Sequence, residues 1–313
     1  MKERTLGKTD VRLSEVALGT WGLASGAYGP LLSGRLAQVI GEALERGIST
    51  FDVSPTWGIG GESEQCLARV VADRRDDVQY ITRAGVHVRD GGIERDYGEE
   101  SLVADCEASL ERLKTDRIDV WLVHDPPEEE WARPDIRRAA DRLLEAGKIR
   151  AWGATVGDVE RARMAISAEA QALCLVYNML ASDELHDLSG DISVAGCGVL
   201  ARSPLAYGLL AGRWSENRSF SELDHRRDRW SPQALRTRVR QANRLRFLVH
   251  DRVHSLTAAA IRFVLANGVV TSALVGARSA AQVTQAAECA DGPPYLPDED
   301  LVKLPQVLAA AGV

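Results

Sequence analysis

Two titratable side chains, one fixed cation and one indole stand at or just beyond the ends of short apolar runs in this chain: Asp52, His124, Arg83 and Trp57. An aspartate can pair with a cation. A histidine with an ordinary pKa near 6.5 can move a proton close to neutrality. Arg83 keeps its proton at any working pH, so it can stabilise an oxyanion but cannot protonate one. Its planar fork is expected to close bidentately on Asp52. Trp57 offers an indole N–H that donates a hydrogen bond without ionising usefully. Asp52 should raise the pKa of His124 while burial and Arg83 lower it, and the sequence leaves that sum open.

A second chemistry is anion binding. Gly276-Ala277-Arg278-Ser279 follows an apolar run and opens a helix, where free backbone N–H groups and the helix dipole favour negative charge. Arg278 can grip a phosphate bidentately, and Gln282 lies four residues on, on the same helical face. The bland alternative is a surface arginine capping a helix. Gly58-Ile59-Gly60-Gly61 lacks the G-K-[ST] of a phosphate loop, no G-x-G-x-x-G follows the first strand, and no His or Cys spacing suggests a metal site. The basic segment His225-Arg226-Arg227-Asp228-Arg229 reads as a solvated loop face, with a contribution to anion binding as the lesser alternative. His87, His186, His225, His250 and His254 read as solvent-facing or capping.

The elements that must position these groups alternate. Apolar runs at 16–19, 49–54, 78–82, 118–123, 149–154, 172–177, 198–202 and 271–276 are separated by amphipathic segments at about 36–47, 62–72, 99–113, 134–147, 157–167, 181–188, 234–249 and 255–266. Eight short, continuously apolar strands alternating with helices predict parallel β/α units closing into a (β/α)₈ TIM barrel. Residues 4–15 predict an N-terminal β-hairpin turning at Gly7 to Asp10. In such a barrel the site lies at strand C-terminal ends. That rule nominates Thr20 and Trp21, Asp52 to Trp57, Arg83, His124, Thr155, Tyr177, Asn178, Arg202, Ser203 and Arg278. Residues 85–98 and 203–233 read as loops shaping the mouth, and no linker divides the 313 residues, so a single domain is expected.

The chain also resembles the aldo-keto reductase family over nearly its whole length. The resemblance is carried by RTLGKTDVRLSEVALGTWG (4–22), GISTFDVSPTWGIGGESE (47–64), SLERLKTDRIDVWLVHDP (109–126), GKIRAWGAT (147–155), LVYNML (175–180), RSPLAYGLLAGRW (202–214) and LVGARSAAQV (274–283). It implies a nicotinamide cofactor, NADP(H), and hydride transfer to a carbonyl, with a tyrosine acid lowered in pKa by a lysine–aspartate pair and a histidine orienting the carbonyl. Carried across, the aspartate is Asp52 and the histidine His124, while Trp57 and Arg83 stand at the tyrosine and lysine positions. The resemblance places the cofactor against Gly19, Thr20, Trp21, Asp52, Thr155, Arg202, Ser203, Pro204, Leu205, Gly208, Gly276, Ala277, Arg278 and Gln282. Around the nicotinamide, Arg202, Val156 and Cys174 replace the usual tyrosine, asparagine and glutamine, and Ala286 replaces an asparagine near the adenosine.

Three readings follow. The protein is a reductase drawing its proton from His124, Tyr28 or Tyr97. Alternatively it reduces an iminium or conjugated acceptor that needs little acid, with Trp57 as a stacking wall. Or it has lost redox turnover and binds NADP(H) or another ligand for sensing or redox-neutral chemistry. A net charge of −7 disfavours nucleic acid and anionic membranes as partners, leaving a small-molecule substrate. Five scattered cysteines and a charged start without an apolar stretch lead to the expectation of a cytoplasmic protein. Oligomeric state is left open.

Overall fold

The computed structural model describes residues 1–313 other than Ser25, Leu31, Ser33, Asp90 and Gly91. Twelve strands occur among the described residues: β1 Glu3–Thr5, β2 Arg12–Ser14, β3 Val16–Gly19, β4 Thr50–Asp52, β5 Gln79–Ala84, β6 Val86–Arg89, β7 Gly92–Arg95, β8 Ile118–His124, β9 Ile149–Thr155, β10 Ala172–Val176, β11 Gly198–Arg202 and β12 Val270–Gly276. The helices are α1 Trp21–Ala24, α2 Arg35–Glu45, α3 Glu62–Val71, α4 Glu99–Leu113, α5 Glu128–Trp131, α6 Asp135–Glu145, α7 Val159–Ser167, α8 Asp183–Ala195, α9 Arg226–Arg229, α10 Pro232–Arg244, α11 Leu256–Ala266, α12 Ala280–Glu288 and α13 Asp298–Ala310. Strands β3, β4, β5, β8, β9, β10, β11 and β12 pair in parallel in that order and close, β12 returning to β3. This is the (β/α)₈ barrel that the alternation predicts.

The barrel is sealed at its lower end by the antiparallel β1–β2 hairpin. Leu6, Val11 and Leu13 are fully buried and pack with inward residues of the strands, including Ile81, Leu122, Ala151, Leu200 and Leu274. Helices cover the outside. In α2, Leu36, Val39, Ile40 and Ala43 are buried at the i, i+3, i+4, i+7 spacing of one helical face. Gly153 is dictated by packing inside the barrel wall, since a Cβ there would lie 2.0 Å from the Ala172 carbonyl oxygen.

Strand periodicity carries the inner core up to the mouth. Side chains alternate along a strand, so the residue two beyond an inward apolar residue also points inward. Ile81 leads to Arg83, Leu122 to His124, Ala151 through Gly153 to Thr155, and Leu200 to Arg202. Register brings these ends to one level: Gly19 pairs with Asp52, His124 with Thr155, and Gly276 with Gly19.

Three expectations need correction. The segment 85–98 holds the β6–β7 hairpin, in register from Val86↔Arg95 to Arg89↔Gly92. Asp90 and Gly91 of that segment lie outside the described residues. Helix α8 runs past the polar stretch around Ser189, Gly190 and Asp191 to Ala195, because Ile192 on its apolar face is buried together with Leu185 and Leu188. The chain also adds α13, a helix absent from the sequence expectation.

Candidate active site

A cavity of about 630 Å³ opens at the C-terminal ends of the barrel strands. Asp52, Trp57, Arg83 and His124 all line it. Of the fourteen expected cofactor positions, thirteen line it as well: Gly19, Trp21, Asp52, Thr155, Arg202, Ser203, Pro204, Leu205, Gly208, Gly276, Ala277, Arg278 and Gln282. Thr20 does not. It is fully buried and its Oγ1 donates to the Asp52 carbonyl at 2.9 Å, bracing the ends of β3 and β4 from behind.

At the cavity floor Arg83 Nη1 lies 2.8 Å from Asp52 Oδ1, with both side chains about 5% exposed. The expected bidentate fork does not form. Nη1 donates its hydrogen bond to the Val53 carbonyl at 2.8 Å, leaving the Asp52 contact an ion pair, and Nη2 points to Cys174 Sγ at 4.0 Å, so three partners divide the guanidinium. Burial pushes the Asp52 carboxyl upward, and Arg83 opposes that shift without cancelling it. The Arg83 guanidinium lies 4.5 Å from the centre of the Trp57 ring, a cation–π contact. That face of Trp57 is therefore taken, and the expected stacking of a cationic substrate on it meets a resident cation.

His124, left open by the sequence, is resolved by its surroundings. Burial first, then the charges of Arg83, Arg202 and Arg95, pushes its pKa down to about 3. It is a neutral imidazole near neutrality, able to donate or accept a hydrogen bond but not to act as a ready acid. The two tyrosines named as alternative acids fare no better. Tyr97 is buried and spends its hydroxyl on the His124 carbonyl at 2.8 Å, fixing the end of β8. Tyr28 lines the cavity, but burial pushes it up to about 12.

Across the mouth, β11 runs into a strained segment. Ser203, Ala206 and Tyr207 have φ of 59°, 45° and 59°, in the left-handed region, followed by Gly208 at 93°. Such non-glycine residues cost on the order of 1–3 kcal/mol each and persist where surrounding structure over-determines them. Asn178 Nδ2 helps by donating to the Ser203 carbonyl at 3.1 Å. On the next strand, Ser279 caps α12 by accepting from the Gln282 N–H, and Gln282 Oε1 accepts from the Arg278 N–H at 2.7 Å. The Arg278 fork currently meets loop carbonyls, Nη1 to Tyr28 at 3.0 Å and Nη2 to Gly29 at 3.2 Å.

The basic segment read as a solvated face is split by the structure. Arg226 and Arg229 line the cavity, whereas Arg227 is half-exposed and pairs with Glu222. His225, expected to face solvent, packs edge-on against Trp21, Tyr28 and Tyr207, with ring centres 4.8–5.6 Å away. Three of the other histidines read as solvent-facing or capping are paired as well: His87 with Asp105, His186 with Tyr177, and His250 with Asp251 and Asp300. Sequence reasoning missed Tyr207, Arg213 and Gln285 as lining residues. Their signal was weak, an arginine and aromatic interleaving along 207–230 and one further turn of α12 beyond Gln282.

The Aldo/keto reductase family model matches residues 15–306. The chain belongs to the aldo/keto reductase family. It is 27% identical over 300 residues to the aldo-keto reductase YhdN of Bacillus subtilis, covering 92% of this chain and 88% of that protein. The structure of the glycerol dehydrogenase AKR11B4 from Gluconobacter oxydans superposes with a TM-score of 0.85 at 26% identity, over 99% of this chain and 95% of that one. An aldo/keto reductase from Klebsiella pneumoniae, solved in complex with NADP and acetate, superposes with a TM-score of 0.74 at 21% identity, covering 98% and 95%. That last likeness bears on the fold alone. As an aldo/keto reductase the chain falls in an oxidoreductase family that uses NAD(P)H. Among the described residues no helix is long and apolar enough to cross a membrane, and no cluster of His, Cys, Asp or Glu could hold a metal.

Proposed function

We propose that this chain is an NADP(H)-dependent oxidoreductase acting on a small carbonyl compound with a non-standard arrangement at the proton-donor position. The observation that carries the reading is the Trp57–Arg83–Asp52 stack on the cavity floor, 4.5 Å and 2.8 Å between successive members. The residues fit the cofactor. Thr155 Oγ1 and Arg278 Nε are buried without a hydrogen-bond partner among the described residues, and both side chains line the cavity. Among the described residues six arginines and two aspartates line it, in a chain whose net charge is −7. Asp52 pairs with Arg83 and Asp125 with Arg161, so the surplus is positive and suits the phosphates of a dinucleotide. A 2′-phosphate adds roughly two further negative charges, which favours NADP(H) over NAD(H).

When bound, the reduced cofactor supplies a hydride to the carbonyl carbon. The chain's part is to hold the oxygen that becomes negative. Arg83 is a permanent cation at that point and needs no reorganisation to meet the charge. Trp57 supplies an indole N–H and His124 a neutral imidazole, both donors. None of the three releases a proton readily near pH 7, so the alkoxide takes its proton from water. The surplus of guanidinium groups opposes a cationic acceptor, which argues against an iminium substrate.

A second reading, a cofactor-binding protein without redox turnover, is favoured by His124 near 3 and Tyr28 near 12, which leave neutrality between them. One experiment separates the two. NADPH carrying deuterium at the transferred position is incubated with a panel of small aldehydes and ketones, and the products are examined by mass spectrometry. Stereospecific deuterium in an alcohol supports the reductase. NADPH binding without any transfer supports the second reading, and binding weaker than millimolar overturns both.

A further inference from the structure

Building on the reductase reading, we propose that the substrate carries its own anionic group, held by Arg202 while its carbonyl oxygen faces Arg83. Three observations converge on it. Arg202 ends β11 with most of its hydrogen-bonding capacity unspent. Nη2 meets the Val156 carbonyl at a long 3.4 Å, and Nε is buried without a partner among the described residues. Several other cations around the cavity are engaged. Arg226 is bound by Asp224 and the Tyr207 carbonyl, Arg278 by the Tyr28 and Gly29 carbonyls, and Arg83 by Asp52 and Val53.

The surplus is also localised. Arg83 and Arg202 both line the cavity beside His124. Against these two stands Asp52, paired with Arg83. The other lining acid, Asp125, is held by Arg161 at 2.8 Å. A neutral ketone closing this end off from water would leave a guanidinium uncompensated in a confined space, whereas a carboxylate or phosphate satisfies it bidentately. Arg83, although engaged by Asp52 and the Val53 carbonyl, keeps its positive charge beside the second charge created by reduction. In that step the hydride pair forms the new C–H bond, the carbonyl π pair moves to oxygen, a water proton completes the hydroxyl, and the cofactor is left oxidised.

The test uses the full chain saturated with NADPH and titrated with oxamate, a redox-inert anion, and with oxamide, its neutral counterpart. Oxamate should bind at least about ten-fold more tightly, the scale of one hydrogen bond to a charged group. Arg202→Gln should remove most of that preference. Turnover comparisons distinguish the source of the anion. Pyruvate outpacing its methyl ester points to a carboxylate, and glyceraldehyde 3-phosphate outpacing glyceraldehyde points to a phosphate. Equal affinity for oxamate and oxamide, with neither anionic carbonyl preferred in turnover, overturns the inference, as does a preference that survives Arg202→Gln. Because NADPH binding is read in the same titration, its loss marks failure of the reductase reading instead.

Discussion

At the scale of single residues the buried Asp52–Arg83 pair decides the most. Both partners are 4% exposed, so either charge left alone would sit unsolvated in the barrel. Breaking a buried pair by removing one partner costs about 3–5 kcal/mol, because the other charge is stranded. Arg83→Ala should lower stability by that amount in urea denaturation, and Asp52→Asn combined with it should recover part of the loss. A cost below about 1 kcal/mol for Arg83→Ala would show that the pair is not desolvated as described. Much of this site was legible in the sequence because position along a strand dictates direction: Arg83, His124, Thr155 and Arg202 each follow from two-residue periodicity, and Asp52 from its place at the end of β4. What the sequence withheld was electrostatic sums and side-chain aim. The pKa of His124 depends on Arg202 and Arg95, which lie 78 residues further on and 29 residues back in the chain. Arg226 differs from Arg227 only in which way a short helix turns it.

At the scale of elements, β3 and β11 match their expected bounds to the residue, since Gly and Arg punctuate short apolar runs. The β6–β7 hairpin and α13 escaped notice because their apolar periods are short or interrupted: Val86 and Val88 alternate over only four residues, and the Leu301, Leu304, Leu308 face of α13 is broken by Pro305. Every described residue of β7 is exposed, and α13 buries Asp300 and Leu304 while containing Pro305. The dock of α13 has a polar latch instead, His250 Nε2 to Asp300 at 2.7 Å, with Nδ1 against Asp251 at 2.9 Å. These two carboxylates, through their hydrogen bonds, raise the pKa of His250 above 6.5. A raised folded-state value means the contribution is complete below pH 6.5 and fades as pH climbs through the raised value. His250→Gln should therefore lower Tm more at pH 5.5 than at pH 9, measured by scanning calorimetry. A difference that is constant or grows with pH would contradict the latch.

At the scale of the whole molecule the governing feature is a reversal of sign between bulk and cavity. The chain carries −7 overall, yet among the described residues the cavity walls hold six arginines against two aspartates. Long-range attraction of an anionic cofactor is therefore absent, and affinity must come from short-range contacts inside the mouth, where screening by salt is weaker than at the surface. NADPH at about 100 times its Kd should stabilise the fold by about 2.7 kcal/mol, which corresponds to a Tm rise of roughly 5 °C for a protein of this size. NADH at the same concentration should raise Tm less, because it lacks the 2′-phosphate that Arg278 can take once it releases the Tyr28 and Gly29 carbonyls. Raising salt from 50 to 500 mM should reduce the NADPH shift without abolishing it, and Arg278→Gln should bring the NADPH and NADH shifts together. Equal shifts for both dinucleotides in the unaltered chain would remove the 2′-phosphate grip from the account, while a shift that vanished in salt would place the contact on the open surface rather than in the cavity.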